Sequence, residues 1–392
     1  MFPAKLDLDW DDMSEKTTND ARQAGRMRPP THRQSPMRRK PTATPRAGRI
    51  PRIPPTRYQG SKRRFMDWIG GRLDRLEFDT ALDAFGGSGV VAHWLKGRGK
   101  QVVYCDLLSF NYQIGLALIE NEEVILDEDD IARIVTADPD RAYDDFIQRT
   151  FGGIYYTDAE NRWLDVAVQN IRRLSCRYKR AVGRYALFQS ALAKRPYNLF
   201  HRKNLYLRLA DVRRGFGNKA TWDRPFESHF RTHARRAGAA IFGNGRACRA
   251  VRGDATEVQG NFDLVYIDTP YVNSRGIGVD YLAFYHFLEG LVRYDEWPKL
   301  IDWDSKHLRM NRVPSPWTSP TRVHDAFERL LRRFADGIVV VSYRSDGIPS
   351  ADELVTLVRA VKPHVAVYCH DRYRYALSTN KRAKEMLIVG TD

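Results

Sequence analysis

Four consecutive residues, Asp268-Thr269-Pro270-Tyr271, join a carboxylate, a backbone carbonyl of restricted direction and an aromatic face. They follow the apolar run Leu264-Val-Tyr-Ile267, which reads as a buried strand. A carboxylate at the C-terminal end of a strand lies where open α/β sheets bind ligands. The residue before a proline is pushed into an extended conformation, so the Thr269 carbonyl is aimed. Carboxylate, carbonyl and ring together suit a planar heterocycle that carries an amine. The same four residues also make an ordinary turn opened by Asp268, and the buried strand before them is what favours a site. A second group is Asp83-Ala-Phe85-Gly86-Gly87-Ser88-Gly89. Glycines at a strand-to-helix turn accept positive φ and let a ligand approach the backbone, and the helix start offers free amides. The loop lacks the Lys-Ser/Thr ending of a phosphate-binding loop, so its ligand need not carry phosphates. Asp106 ends the next strand, where a carboxylate can accept both hydroxyls of a ribose or simply cap a helix.

The elements that must position these residues are legible from periodicity. Ser61 to Leu76 has helical spacing; Thr80 to Phe85 reads as a short buried strand, followed by a helix through Leu95. Gln101 to Asp106 is a second strand and Ser109 to Asn121 a second helix. Strand, helix, strand, helix predicts a parallel sheet. From 128 to about 240 the pattern is helical, with two amphipathic helices over 158–193. Strands resume at 247–252, 262–268 and 338–343, with closing strands at 365–368 and 385–389. The predicted fold is α/β, a Rossmann-like sheet with a mostly helical insert. The expected divisions are a basic tail over 1–56, a first sheet part over 57–127, an insert over 128–245 and a second sheet part over 246–392.

The chain has 392 residues and a formal net charge of +16. Such an excess attracts polyanions and favours a nucleic-acid partner. No acidic residue occurs between Asp20 and Asp67, a stretch rich in Arg and Pro. Its low hydrophobicity and many prolines predict disorder and a role in phosphate contacts, or none. The four cysteines form no CxxC pair, so neither a zinc site nor a disulfide framework is suggested, and a cytoplasmic protein fits. No apolar run approaches the ~20 residues of a membrane span.

Several blocks resemble the Dam-like, alpha-group DNA adenine methyltransferases. Arg57-Tyr58-Gln59-Gly60-Ser61-Lys62 is similar to that family's opening cofactor motif, Phe85-Gly86-Gly87-Ser88-Gly89 to its FxGxG loop, and Asp268-Thr269-Pro270-Tyr271 to DPPY. The order of the blocks matches too. The resemblance implies a class I methyltransferase fold and S-adenosylmethionine as cofactor, with no metal. Tyr58, Gly60, Phe85, Gly86, Gly87 and Gly89 would then line the cofactor pocket. Lys62 would contact its methionine carboxylate, Asp106 its ribose and Asp254 its adenine edge. Asp268, Thr269, Pro270 and Tyr271 would act on an exocyclic adenine amine. The basic aromatic block with Arg195, Asn198, Arg202, Lys203 and Asn204 would meet double-stranded DNA, with Arg208, Arg213 and Arg214 beyond it. A restriction endonuclease is the candidate protein partner. Thr269 departs from the family's proline; it keeps the carbonyl and the extended bias but loses the ring's rigidity, which implies a lower rate.

No Pro-Cys dipeptide is present, so a cytosine carbon-5 mechanism is excluded. Methylation of a cytosine amine, an RNA target, and a non-catalytic DNA-binding relic remain open from sequence.

Overall fold

The computed structural model describes residues 50–197, 199–211, 219–370 and 383–392. Most of the predicted tail, and Asn198, Arg213 and Arg214, lie outside the described residues. The described residues from 51 onward make one compact unit.

Seven strands form one sheet: β1 Thr80–Asp83, β2 Gln101–Asp106, β3 Arg249–Arg252, β4 Leu264–Ile267, β5 Ile338–Arg344, β6 His364–His370 and β7 Glu385–Thr391. Their order is β3-β2-β1-β4-β5-β7-β6. The first five are parallel, and β7 runs antiparallel to both β5 and β6. The parallel strands read as near-continuous apolar runs because both sheet faces are covered. Successive side chains alternate between them. Ala81, Tyr104, Leu264 and Tyr266 face one core, while Leu82, Val103, Val265 and Ile267 face the other.

The first core is closed by the helical insert between β2 and β3, through Tyr155, Leu164, Leu187, Phe188 and Phe230. Its two long helices, Asp158–Arg173 and Arg177–Ala193, match the amphipathic pair read from sequence. Asp158–Arg173 starts with a capping box, in which Thr157 and Glu160 satisfy each other's backbone amides. The second core is closed by Val323–Arg333 and Ala351–Arg359, whose Phe327, Leu330, Leu354 and Val358 are fully buried.

Two boundaries differ from the sequence reading. The helix expected over 61–76 is a 3₁₀ turn, Lys62–Phe65, continued as an α-helix that stops at Leu73. The helix expected over 109–121 is α-helical only to Gly115 and widens to a π-turn over Leu116–Glu120. β7 inserts between β5 and β6, which periodicity cannot reveal.

The N-terminus of helix Ser109–Gly115 is held by a distant carboxylate. Buried Glu289, on helix Tyr281–Val292, accepts from the Ser109 amide at 3.1 Å and the Phe110 amide at 3.0 Å. It ties the segment after Asp268 to the segment after Asp106. Glu289→Ala is expected to lower the unfolding free energy by about 2 kcal/mol in urea denaturation, because two buried amides lose their acceptor. An unchanged midpoint and slope would contradict that role.

Candidate active site

Asp83 ends β1, Asp106 ends β2, and Asp268 directly follows β4. These strands are adjacent and parallel, so the three carboxylates share one edge of the sheet. The chain order reverses beside β1, which is where a crevice opens in such sheets. Glu385 reaches the same edge from the other direction. It heads antiparallel β7 and pairs in register with Arg344, the last residue of parallel β5.

The glycine loop lies over the end of β2. A Cβ on Gly86 would run into the Tyr104 ring, so only glycine fits. Gly87 and Gly89 have φ of +51° and +74°, which a side chain resists. Asp106 holds this loop. Its Oδ2 accepts from the Gly87 amide and from Asn111 Nδ2, both at 3.0 Å, and its Oδ1 accepts from the Leu108 amide at 2.9 Å. Burial lifts the Asp106 carboxyl to about 6, and these donors pull against it. Asn111 Nδ2 also donates to the Tyr58 hydroxyl at 3.1 Å, while Asn111 Oδ1 is buried with no partner. The Tyr58 ring stacks against Tyr281 and Tyr285, with centroids 5.7 and 4.9 Å away. Gly60, at φ +80°, packs under the Tyr281 hydroxyl. Phe85 meets Trp317 edge-on at 5.0 Å.

On the β4 side stands an ion cluster. The Lys62 ammonium is 2.9 Å from Asp268 Oδ1 and 2.9 Å from Glu385 Oε1, and it also donates to the Tyr271 hydroxyl. Tyr271 in turn donates to Asp268 Oδ1 at 3.0 Å, and its ring sits edge-on to Tyr343. Burial alone would depress Lys62, but Asp268 and Glu385 hold it well above its ordinary value. Burial lifts Asp268 to about 6 despite Lys62, with Glu385 adding to the rise. Asp83 is pushed up to about 8 by burial and then by Asp268, and its Oδ2 accepts from the Ala92 amide. Thr269 is buried, and its hydroxyl has no partner.

The two halves meet at Tyr281. Burial first, then the charges of Asp268, Lys62, Asp106 and Glu385, all bear on its hydroxyl. Asp106 and Asp268 stand at the ends of the two parallel strands that flank β1. The structure offers a different partner set for Lys62 than a cofactor carboxylate: an ammonium has three donors, and Asp268, Glu385 and Tyr271 engage them. Asp254 caps a short helical turn, accepting from Thr256 at its amide and hydroxyl, and borders an open cleft of about 560 Å³ with Pro316, Arg322, Asp325 and Arg329.

The basic block divides. Arg202 and Lys203 are exposed, as a DNA contact requires. Arg195 and Asn204, expected at the surface, are buried instead. The Arg195 guanidinium donates to the Leu199 and Arg202 carbonyls and lies over the Tyr155 and Phe200 rings. Arg208 is also buried and pairs with Glu160 through two hydrogen bonds at 2.9 and 2.6 Å. These cations build the loop from inside, and a phosphate cannot reach them.

Sequence reasoning missed Glu385, Asn111, Tyr281 and the special environment of Asp83. Glu385 carried a signal, a carboxylate at the mouth of the apolar run Met386-Leu-Ile-Val389, but its partner is remote in sequence. Lys62→Met would leave two buried carboxylates without their cation. We expect it to cost about 3 kcal/mol of unfolding free energy near neutral pH. Asp268, already at about 6, rises further in this variant, so above pH 6 it keeps a proton that the parent's Asp268 has released, and keeping that proton costs stability as pH rises. The stability gap from the parent should therefore widen between pH 5 and pH 8 in thermal denaturation. An equal gap at both would refute the ion cluster.

The sequence has relatives among known proteins. The chain is 29% identical over 246 residues to the Type II methyltransferase M2.HphI of Haemophilus parahaemolyticus, covering 61% of this chain and 71% of that one. Over 342 residues it is 23% identical to the Type II methyltransferase M.CviAII of Paramecium bursaria Chlorella virus 1, covering 82% and 93%. Residues 58–303, which hold the glycine loop, Asp106 and the Asp268 tetrapeptide, match a family as a block, and on that match the chain belongs to the D12 class N6 adenine-specific DNA methyltransferases.

Proposed function

We propose that this DNA adenine methyltransferase takes its methyl group from S-adenosylmethionine, bound along the glycine loop, and delivers it at Asp268. The observation that carries the reading is the placement of Asp106 and Asp268 at the C-terminal ends of β2 and β4, the two parallel strands that flank β1. The residues present fit such a ligand. Asn111 Oδ1 is a buried acceptor without a partner beside Asp106, as a ribose hydroxyl would require. The backbone at Gly86–Gly89 has no side chains in the way apart from Ser88, and Asp254 borders an open cleft. When bound, the cofactor supplies an electrophilic methyl on a sulfonium.

The rest is the work of the chain. An adenine amine is a poor nucleophile because its lone pair is delocalised into the ring. Hydrogen bonds from its two N–H groups to the Asp268 carboxylate and the Thr269 carbonyl favour a tetrahedral, nucleophilic nitrogen. The amine nitrogen would accept the methyl group that the cofactor supplies, and Asp268 would take the surplus proton from that nitrogen. In-line placement of the two partners is mainly an orientation effect. The target base must leave the duplex stack to reach the crevice, and Tyr271 offers it a stacking face worth ~1–3 kcal/mol. In this reading 57–127 carries the cofactor, 246–392 the chemistry and the helical insert 128–245 the DNA, with exposed Arg202 and Lys203 on phosphates. A restriction endonuclease with the same target is the partner this reading suggests.

A transfer assay with labelled S-adenosylmethionine and duplex DNA tests the reading. Asp268→Ala should lose at least about 100-fold in rate. In the parent, the rate should fall as pH drops through about 6, because Asp268 must be ionised to accept the amine. Transfer that persists in Asp268→Ala, or a rate flat from pH 7 to pH 5, would overturn it.

A further inference from the structure

Glu385 belongs to the same cluster but has no part in the chemistry above, and it lies beyond the residues that match the family. It is fully buried. Its Oε1 accepts from Ser342 Oγ on β5 at 2.6 Å and faces the Lys62 ammonium at 2.9 Å. One carboxylate would suffice to neutralise Lys62. A second buried carboxylate raises the charge burden of the site, so a stability role alone is a poor explanation.

We propose that Glu385 is a positioning residue for methyl transfer: it keeps Lys62 paired while Asp268 exchanges its ammonium contact for the adenine amine. The inference rests on the methyltransferase reading. For the amine to reach Asp268, one of the present partners of that carboxylate must give way. Without Glu385, Lys62 would be left buried and uncompensated at that moment, so it would stay on Asp268 and compete with the substrate. With Glu385, the ammonium has a counter-charge before and after the exchange. The other ionisable groups around Asp268 and Lys62 are Asp83 from β1, Asp106 from β2, Tyr266 from β4, Tyr271 from the loop after β4 and Tyr281 from the following helix. None of these supplies a second carboxylate within ion-pair reach of Lys62 among the described residues.

The test is the pH dependence of kcat/KM on duplex DNA for the parent, Glu385→Gln and Glu385→Asp. Glu385→Gln keeps the shape and the Ser342 contact but removes the charge. Asp268 then loses a repulsive neighbour and keeps Lys62 to itself, so the acid limb should move down by about 1 pH unit. At pH 7.5 kcat/KM should fall by about tenfold, and Glu385→Asp should return the limb toward the parent. Carbon-detected NMR titration of the Asp268 carboxyl in the ligand-free proteins reads the same shift without catalysis. A shift there with no transfer by the parent would sink the methyltransferase reading and leave the placement of Glu385 standing. Coincident titrations in the parent and Glu385→Gln, whatever their activity, would overturn the proposal, as would a Glu385→Asp profile no nearer the parent than that of Glu385→Gln.

Discussion

The Lys62 ammonium stands between two buried carboxylates, Asp268 and Glu385, that arrive on different strands from different parts of the chain. Each charge is costly to bury alone, and each is tolerable because the other two are there. The cluster therefore couples three segments: the 3₁₀ turn after Tyr58, the loop after β4 and the head of β7. It also sets the ionisation of Asp268, the acceptor in the proposed reaction. Lys62 draws Asp268 down while burial and Glu385 push it up, and the balance near 6 leaves it an acceptor at neutral pH yet close enough to take a proton.

The sheet makes this meeting possible. Parallel β1, β2, β4 and β5 deliver their C-terminal ends to one edge, and the reversal of order beside β1 leaves a crevice there. Because β7 runs antiparallel, its first residue reaches that edge as well. The helical insert covers one face, and Glu289 ties the helix after the Asp268 loop to the helix after Asp106. The segments after Asp106 and Asp268 are thus linked by the Glu289 hydrogen bonds, and Tyr58 is stacked on Tyr281 and Tyr285.

Much of this was legible in the chain because it is local. An apolar run ending in Asp106, or in Asp268 before a Thr-Pro step, states both the strand and the carboxylate at its tip. A loop that needs positive φ at Gly87 and Gly89 advertises itself. What could not be read depends on contacts between remote segments. Glu385 looks like any acid at a strand start until Lys62 is placed beside it. Arg195 and Arg202 sit in the same basic aromatic block, and nothing in their types says that one turns inward over Tyr155 while the other faces solvent. The position of β7 between β5 and β6 is likewise a matter of pairing, which an apolar pattern leaves undetermined. Thr269 is readable as a departure, but its orphaned hydroxyl is visible only in three dimensions.

The most direct measurement is to express the chain in cells that lack adenine methylation and map modified bases across their DNA. The account predicts N6-methyladenine at one short sequence context, and none when Asp268 is replaced by Ala. Soluble parent protein with unmodified adenines, or methyl groups on cytosine instead, would contradict it.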